Sequence, residues 1–288
     1  MKSKELMPMI VPAVSFLFLI TVIPILGTII ISLFYYDITS PDTIRFYYFK
    51  HYIELFRDER FLNSVLVTLQ LIFIPVFFQV MLGFLLAIAI HEKMKGTQWM
   101  RSLFLIPAVI PPVVIGLIWK LFIIPGQGGL TYFTKLTGTG FEFDFLNVPA
   151  SALMIIIFAS IWMGTPFVTL MFLSGLESIS LHYYEAAAID GAGWFRSHLF
   201  ISRPLLSPII KTVSIFRILE ALAIFPIIFI LTGGGPASAT EPINFYAYIT
   251  GFDYLKIDYA AAIIVFFFIL LMTISLPLIK GMAKRVYV

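Results

Sequence analysis

Between Met9 and Leu33 the chain carries no Asp, Glu, Lys or Arg. Apolar stretches of comparable length recur at Val65–Ile90, Ser102–Ile124, Ser151–Leu176, Pro208–Leu231 and Tyr259–Lys280. A helix needs about 20 apolar residues to cross the hydrocarbon core of a bilayer, and each of the six is long enough. Backbone amides have no water to bond in lipid, so such stretches must satisfy themselves as helices. The residue budget agrees: 60% of the chain is apolar and 12% charged, which a water-soluble fold could not bury. We therefore expect an all-α membrane protein with six transmembrane helices, forming a single transmembrane domain over residues 1–288. The first stretch exceeds a signal-peptide core and lacks a small-x-small cleavage site, so it reads as a retained anchor.

Lys and Arg set the orientation. Six spans put both termini on one side. That side holds Lys2, Lys4, Lys93, Lys95, Arg101, Arg196, Arg203, Lys211, Lys280, Lys284 and Arg285; the other holds Arg45, Lys50, Arg57, Arg60, Lys135 and Lys256. Eleven against six places both termini in the cytoplasm. Most spans also carry proline, at Pro24, Pro75, Pro107, Pro111, Pro112, Pro166, Pro226 and Pro277. Each removes a backbone donor and loosens its helix. So many in one small bundle favour a protein that moves or encloses a cavity.

One cytoplasmic loop, residues 177–207, is unlike the rest. It contains YYEAAAIDGAGWFRSHLFISRPLLSP, from Tyr183 to Pro208. Glu185 to Asp190 reads as a helical turn with a small-residue face, Gly191 as a sharp turn, and Ala192 onward as a second short element closed by Pro204 and Pro208. By composition this is either a solvated helical hairpin or a docking knob that lets another surface approach closely.

The spacing within that block resembles the signature of permease subunits of binding-protein-dependent ABC importers. Glu185-Ala186-Ala187 is followed by Ala188, Ile189 and Asp190, then Gly191, and nine residues later by Ile201-Ser202-Arg203-Pro204. Arg203 stands where the family has Leu, and His198 where the carbohydrate branch has Phe. Other stretches are similar to that branch, in particular to its maltose-permease-F-like members: WMGTPFVTLMFLSGLESI, RILEALAIF, LTGGGPASAT, HYIELFRDERFLNS and PVFFQVMLGFLLAI. The resemblance implies a type I ABC permease fold in a prokaryotic cytoplasmic membrane. It implies import of a sugar or related polyol, a second, G-like permease, two ATPase subunits that bind ATP and Mg, and an extracytoplasmic solute-binding protein. It also makes the block a coupling helix that docks on the ATPase, through Glu185, Ala186, Ala187, Asp190, Gly191, Ala192, Ile201 and Pro204. Membrane lipid is the remaining expected partner; nucleic acid is not one.

The residues themselves give no enzyme constellation. No phosphate-binding G-x-x-x-x-G-K-[ST] occurs, so ATP hydrolysis is expected from the partner and no cofactor in this chain. There is no cysteine, and four scattered His have no metal-ligand spacing. The HEKMK at His91 has Lys95 where a metalloprotease has its second His. FLSGL around Ser174 lacks the earlier Gly of a membrane serine protease.

Ionisable groups within spans are functional suspects. Lys120 lies near the outer interface, where it can snorkel beside Trp119. Arg217 and Glu220 lie near the midplane at i,i+3 spacing, either paired within the bundle or lining a solute path. Gln79 is equally deep, facing either another helix or a cavity. Trp162 lies about 16 Å into its span, four residues before Pro166, which robs its carbonyl of a donor. It either packs or offers an aromatic face to a sugar, with Thr165 adding a hydroxyl. A secondary transporter, or a non-transporting assembly or signalling subunit, is the alternative. The former would need inverted repeats or a carboxylate relay, neither of which is visible.

Overall fold

The computed structural model describes residues 3–36, 43–93, 104–139 and 143–283. Lys2, Lys95, Arg101, Lys284 and Arg285 of the orientation argument, and the first residues of the third predicted span, lie outside them.

A helix stands at each of the six predicted stretches, but two are in pieces. Helix α1 spans Ser3–Ile31. A two-stranded antiparallel ribbon, β1 (Phe34–Tyr35) with β2 (Arg45–Phe46), follows. It is a small departure from the all-α expectation. Helix α2 (Lys50–Leu55) leads into α3 (Glu59–Lys93). The third stretch forms α4 (Ile106–Val109) and α5 (Pro112–Ile123), with the short α6 (Gly129–Leu136) beyond. Helix α7 is Pro149–Glu177. The cytoplasmic block gives α8 (Leu181–Ile189), α9 (Trp194–Ser197), a π-turn over His198–Ser202 and α10 (Arg203–Leu205). The fifth stretch splits into α11 (Ser207–Glu220), a 3₁₀ turn at Ala221–Ile224 and α12 (Phe225–Leu231). Helix α13 (Ile243–Tyr248), a π-turn over Ile249–Asp253 and α14 (Ile257–Ala283) complete the order.

Among the described residues, four helices are long and apolar enough to cross a membrane alone: Val11–Ile31, Glu59–His91, Pro149–Glu177 and Ile257–Pro277. A fifth is reached if Trp194–Leu205 and Ser207–Glu220, bent by 69°, are one span.

The prolines explain where helices break and where they do not. Pro111 and Pro112 follow each other, and Ile110 before them is driven to the extended region at φ −69°, ψ 130°. That ends α4. Pro226 lies in the first turn of α12, where its missing N–H costs least, and the chain before it tightens into the 3₁₀ turn. Pro75, Pro166 and Pro277, by contrast, lie inside continuous helices. The expected break after Trp162 is therefore absent: α7 runs through Pro166. One lost bond in a helix of 29 residues is offset by packing, for Pro166 is buried.

The chain divides into two compact units. One comprises the residues up to Leu62 together with Ile243–Met272. Within it Phe61 and Phe56 meet Phe266 edge-on, at 5.0 and 5.9 Å. None of the Val11–Ile31 window of α1 is buried inside the chain, so this helix, apolar all round, presents its surface to lipid or another subunit.

The other unit comprises Asn63–Pro242 and Thr273–Val288. Its core joins Ala87 and Ile88 of α3, Val168, Phe172, Leu173 and Leu176 of α7, and Leu206 and Val213 around α11. Small residues let these backbones approach, as membrane helix interfaces require. A Cβ at Gly83 of α3 would lie 2.6 Å from Val168 Cγ1 and 3.2 Å from the Thr169 amide of α7. Lys120 does more than snorkel: its ammonium donates to the Ile230 carbonyl at 2.9 Å, placing a cation at the last turn of α12.

Candidate functional site

The cytoplasmic knob follows from how α8 ends. Asp190 closes the helix and Gly191 takes φ +76°, the left-handed conformation that glycine adopts without a Cβ penalty. The Gly191 N–H then reaches the Ala188 carbonyl (3.1 Å) and the Ala192 N–H reaches back to Ala187 (2.8 Å). This pair of bonds satisfies carbonyls that the helix end would leave open. It assigns physical work to the spacing of the block. Ala187 and Ala192, bonded across the turn, are half-buried, while Glu185, Ala186, Asp190 and Gly191 are exposed.

The second half of the knob is tied to the first through Ser202, which His198 in turn engages. The His198 Nδ1 and the Ser202 Oγ are 2.8 Å apart, and the same Oγ meets the Tyr184 hydroxyl of α8 at 2.8 Å. His198 and Ser202 are buried. The His that departs from the carbohydrate-branch pattern thus holds the Ser202 hydroxyl that reaches α8, and its ring lies 5.9 Å from that of Tyr184. Ile201 is half-buried, and Arg203 and Pro204 are exposed. Around them the knob presents large apolar side chains to its surroundings: Ile189 is 87% exposed, Phe200 71% and Phe195 67%.

Three of the five residues expected near the midplane meet. Gln79 of α3 donates from Nε2 to the Ser160 carbonyl of α7 at 2.8 Å. Arg217 of α11 donates from Nε to Gln79 Oε1 at 2.9 Å and pairs through Nη1 with Glu220. Gln79 and Arg217 are buried, whereas the Glu220 side chain is 44% exposed. The cluster therefore locks three helices together at its inner end and presents a carboxylate at its outer end. Sequence reading passed over Ser160, which contributes a backbone carbonyl, and Gly164, where a Cβ would overlap both the Arg217 guanidinium and the Gln79 amide. A backbone acceptor and an absent side chain leave no pattern to read.

Trp162 and Thr165 are not bonded to this cluster. The half-buried Trp162 ring stands edge-on to Trp119 of α5 at 6.0 Å, and Trp119 likewise to Phe158 at 5.3 Å. Trp119 Nε1 is buried without a hydrogen-bond partner. The Thr165 hydroxyl donates to Ile161 at 2.7 Å within its own helix. Among the described residues, no group of three or more His, Cys, Asp and Glu could hold a metal ion.

Residues 79–287 match the family model described as binding-protein-dependent transport system inner membrane component. Among curated relatives, the trehalose/maltose transport system permease protein MalF of Thermococcus litoralis is 33% identical, over 94% of this chain and 91% of that protein. The sulfoquinovosyl glycerol transport system permease protein SmoG of Agrobacterium fabrum is 34% identical, over 93% and 86%. Among solved structures, a chain of a bacterial ABC transporter involved in import of the acidic polysaccharide alginate superposes with a TM-score of 0.83 at 22% identity, covering 99% of this chain and 96% of that one. A chain of the alginate transporter in complex with its pentasaccharide-bound periplasmic protein gives 0.82 at 24% identity, with the same coverage. The fold is that of these transporter chains.

Proposed function

We propose that this chain, which belongs to the family of binding-protein-dependent transport system inner membrane components, is one transmembrane subunit of an ATP-driven importer of a sugar or related polyol. Its expected partners are a second permease, two ATPase subunits that bind ATP and Mg, and an extracytoplasmic binding protein. The observation that carries the reading is the Gly191 cap within a Glu-Ala-Ala-x3-Gly spacing, on an exposed knob, in a chain whose relatives over nearly full length are named for sugar and polyol transport. In this reading the chain crosses the cytoplasmic membrane six times, with both termini inside. The third and fifth crossings are the broken ones, α4–α5 and α11–α12. ATP closes the ATPase pair, the knob transmits that closure, and the span bundle alternates between outward and inward access.

The knob residues Glu185, Ala186, Asp190 and Gly191 supply the surface; Ala187, Ala192, Ile201 and Pro204 hold its shape. We assign the solute path to the side of Trp162, with Glu220, Arg217, Gln79 and Thr165 at comparable depth. Arg217 is neutralised by Glu220 and engaged by Gln79, so the cluster favours a neutral solute over a phosphorylated one. Reconstitution with a cognate ATPase, second permease and binding protein tests the whole reading. Sugar uptake should require ATP and all the subunits. Uptake by this chain alone, driven by an ion gradient, would favour the secondary-transporter alternative.

Two further outcomes are expected. The chain has no natural cysteine, so Arg196→Cys gives a single reporter. Impermeant maleimide should label it in inside-out vesicles and not in intact cells; labelling from outside would overturn the orientation and the coupling role together. Trp162→Ala should weaken solute handling by about 1–3 kcal/mol, the range of single aromatic stacking contacts on a ligand ring. Trp162→Phe should restore most of it. An equal fractional loss for two different sugars, tracking the amount of assembled complex, would return Trp162 to a packing role.

A further inference from the structure

The unit made of the residues up to Leu62 and Ile243–Met272 contains a half-open pocket of about 700 Å³. That volume falls within the range of small-molecule sites. Six tyrosines line it: Tyr35, Tyr36, Tyr47, Tyr246, Tyr254 and Tyr259. Tyr35, Tyr36 and Tyr47 come from the ribbon and loop before α2, Tyr246 from α13, Tyr254 from the segment after it and Tyr259 from the first turn of α14, all extracytoplasmic in the orientation proposed above.

The walls are fixed before any ligand arrives. Asp58 Oδ2 accepts the Tyr246 hydroxyl at 2.5 Å and the Tyr259 hydroxyl at 2.9 Å, while Oδ1 accepts the Arg60 and Phe61 amides at 3.0 and 3.2 Å. Burial by itself would raise the Asp58 carboxyl, but these bonds, led by that from Tyr246, hold it below the usual carboxylate range and keep it an acceptor. Asp258 accepts the Tyr36 amide at 3.0 Å and lies 3.3 Å from His51 Nε2. At the rim, Tyr47 donates to Glu54 at 2.9 Å and Arg60 donates to Tyr254 at 2.8 Å. The rings cannot turn freely, so little side-chain entropy remains to be lost on binding.

The charges decide what fits. An organic cation would seek the aromatic faces. Those faces already hold the chain's own cations: Arg45 lies 4.9 Å from the Tyr35 centroid, Lys50 5.1 Å from that of Tyr47, and Arg60 5.2 Å from that of Tyr246. An anion would meet Glu54, Asp58 and Asp258. A neutral polyhydroxylated ring has neither conflict. Its hydroxyls can donate to Glu54 and to the Tyr259 hydroxyl oxygen, accept from Lys256, and its C–H faces can lie on the rings of Tyr36 and Tyr259. We infer that this pocket is an extracytoplasmic subsite for one neutral glycosyl unit, separate from the Trp162 path. The inference rests on the proposed orientation, and its test is independent of transport.

The test uses the complete transporter in lipid nanodiscs, without binding protein, and saturation-transfer NMR. Maltose and trehalose are the neutral probes, glucosamine the cationic one and glucuronate the anionic one. The wild type should transfer saturation to the ring protons of at least one neutral probe, and at least threefold less to the charged ones. Tyr47→Ala and Tyr254→Ala, both at the rim, should each reduce the neutral-probe signal threefold or more. Phe49→Ala, an exposed aromatic outside the pocket, should leave it unchanged. No transfer to either neutral probe, equal signals in the two rim variants and wild type, or preference for a charged probe would each overturn the inference. Coupled uptake measured in proteoliposomes made from the same purified complex, with binding protein and ATP, separates this failure from a failure of the importer reading. Uptake without a pocket signal rejects only the subsite.

Discussion

Sugar uptake should fall about five- to thirty-fold in a Gly191→Val variant, while insertion and pairing with the second permease persist. The reasoning is conformational. Nothing lies within 4 Å of a Cβ built at Gly191, so the new side chain meets no obstacle. What it meets is its own backbone: at φ +76° an L-residue is strained by about 1–2 kcal/mol, and a β-branched one most of all. That energy corresponds to the stated range in the population of the capped state. Relief requires the turn to leave the left-handed region, which releases the bonds from Gly191 to Ala188 and from Ala192 to Ala187. The end of α8 then frays and the direction from α8 into α9 is lost. Gly191→Asn should recover most of the uptake, since Asn tolerates this region. The measurements are ATP-driven uptake and ATPase activity in proteoliposomes, normalised to assembled complex. If Val and Asn behave alike, or if basal ATPase stays fully coupled to uptake in the Val variant, the turn does not position a docking element.

The same turn shows how far sequence carries. The Gly191 turn was readable because a helix end needs a particular residue type at a particular step, the spans because apolar length forces helices in lipid, and the spacing from Glu185 on to Pro204 only through its resemblance to the permease signature. What sequence left open was which prolines matter. Pro111 and Pro112 end a helix, while Pro166 in α7 does not. Pro111 and Pro112 act locally, by driving Ile110 to the extended region, whereas Pro166 is carried by the packing that buries it, which single-chain pattern does not encode. The i,i+3 spacing let Arg217 and Glu220 either pair or line a solute path; in the structure they pair. Their link to Gln79 spans more than a hundred residues, and its two readings could be separated only by geometry, which puts Gln79 against Ser160 and Arg217. The tyrosine pocket went unread for the same reason. Asp58, between α2 and α3, and Tyr246, in α13, are far apart in sequence until the chain brings them to 2.5 Å.

Gly164→Ala should prevent stable assembly or lower the melting temperature of the detergent-solubilised complex by several degrees, although it adds one methyl group. The methyl would overlap Arg217 Nη2 and the Gln79 side chain, and neither has room to retreat: Gln79 is 1% exposed and Arg217 6%. If Gln79 gives way, the Arg217 Nε–H loses its acceptor and the Ser160 carbonyl its donor. If Arg217 gives way, its pair with Glu220 is disturbed. Leaving a buried charge without its partners costs about 3–5 kcal/mol, far above the small gain in helix propensity from Gly to Ala. A shared-space origin has its own signature. Arg217→Lys removes the guanidinium nitrogen that the methyl meets, so the double variant Gly164→Ala/Arg217→Lys should lose clearly less than the sum of the two single losses. Additive losses would mean that the methyl acts elsewhere, for instance on the α7 backbone, and that the close approach of α3, α7 and α11 at Gly164 does not depend on the absent side chain. Because the cluster carries its charge from buried Gln79 and Arg217 out to the half-exposed Glu220, a variant that assembles but has shifted Arg217 should also change which sugars are taken up. Comparing uptake of two sugars in the surviving complex therefore tests, in the same preparation, whether the helix lock and the solute path share these side chains.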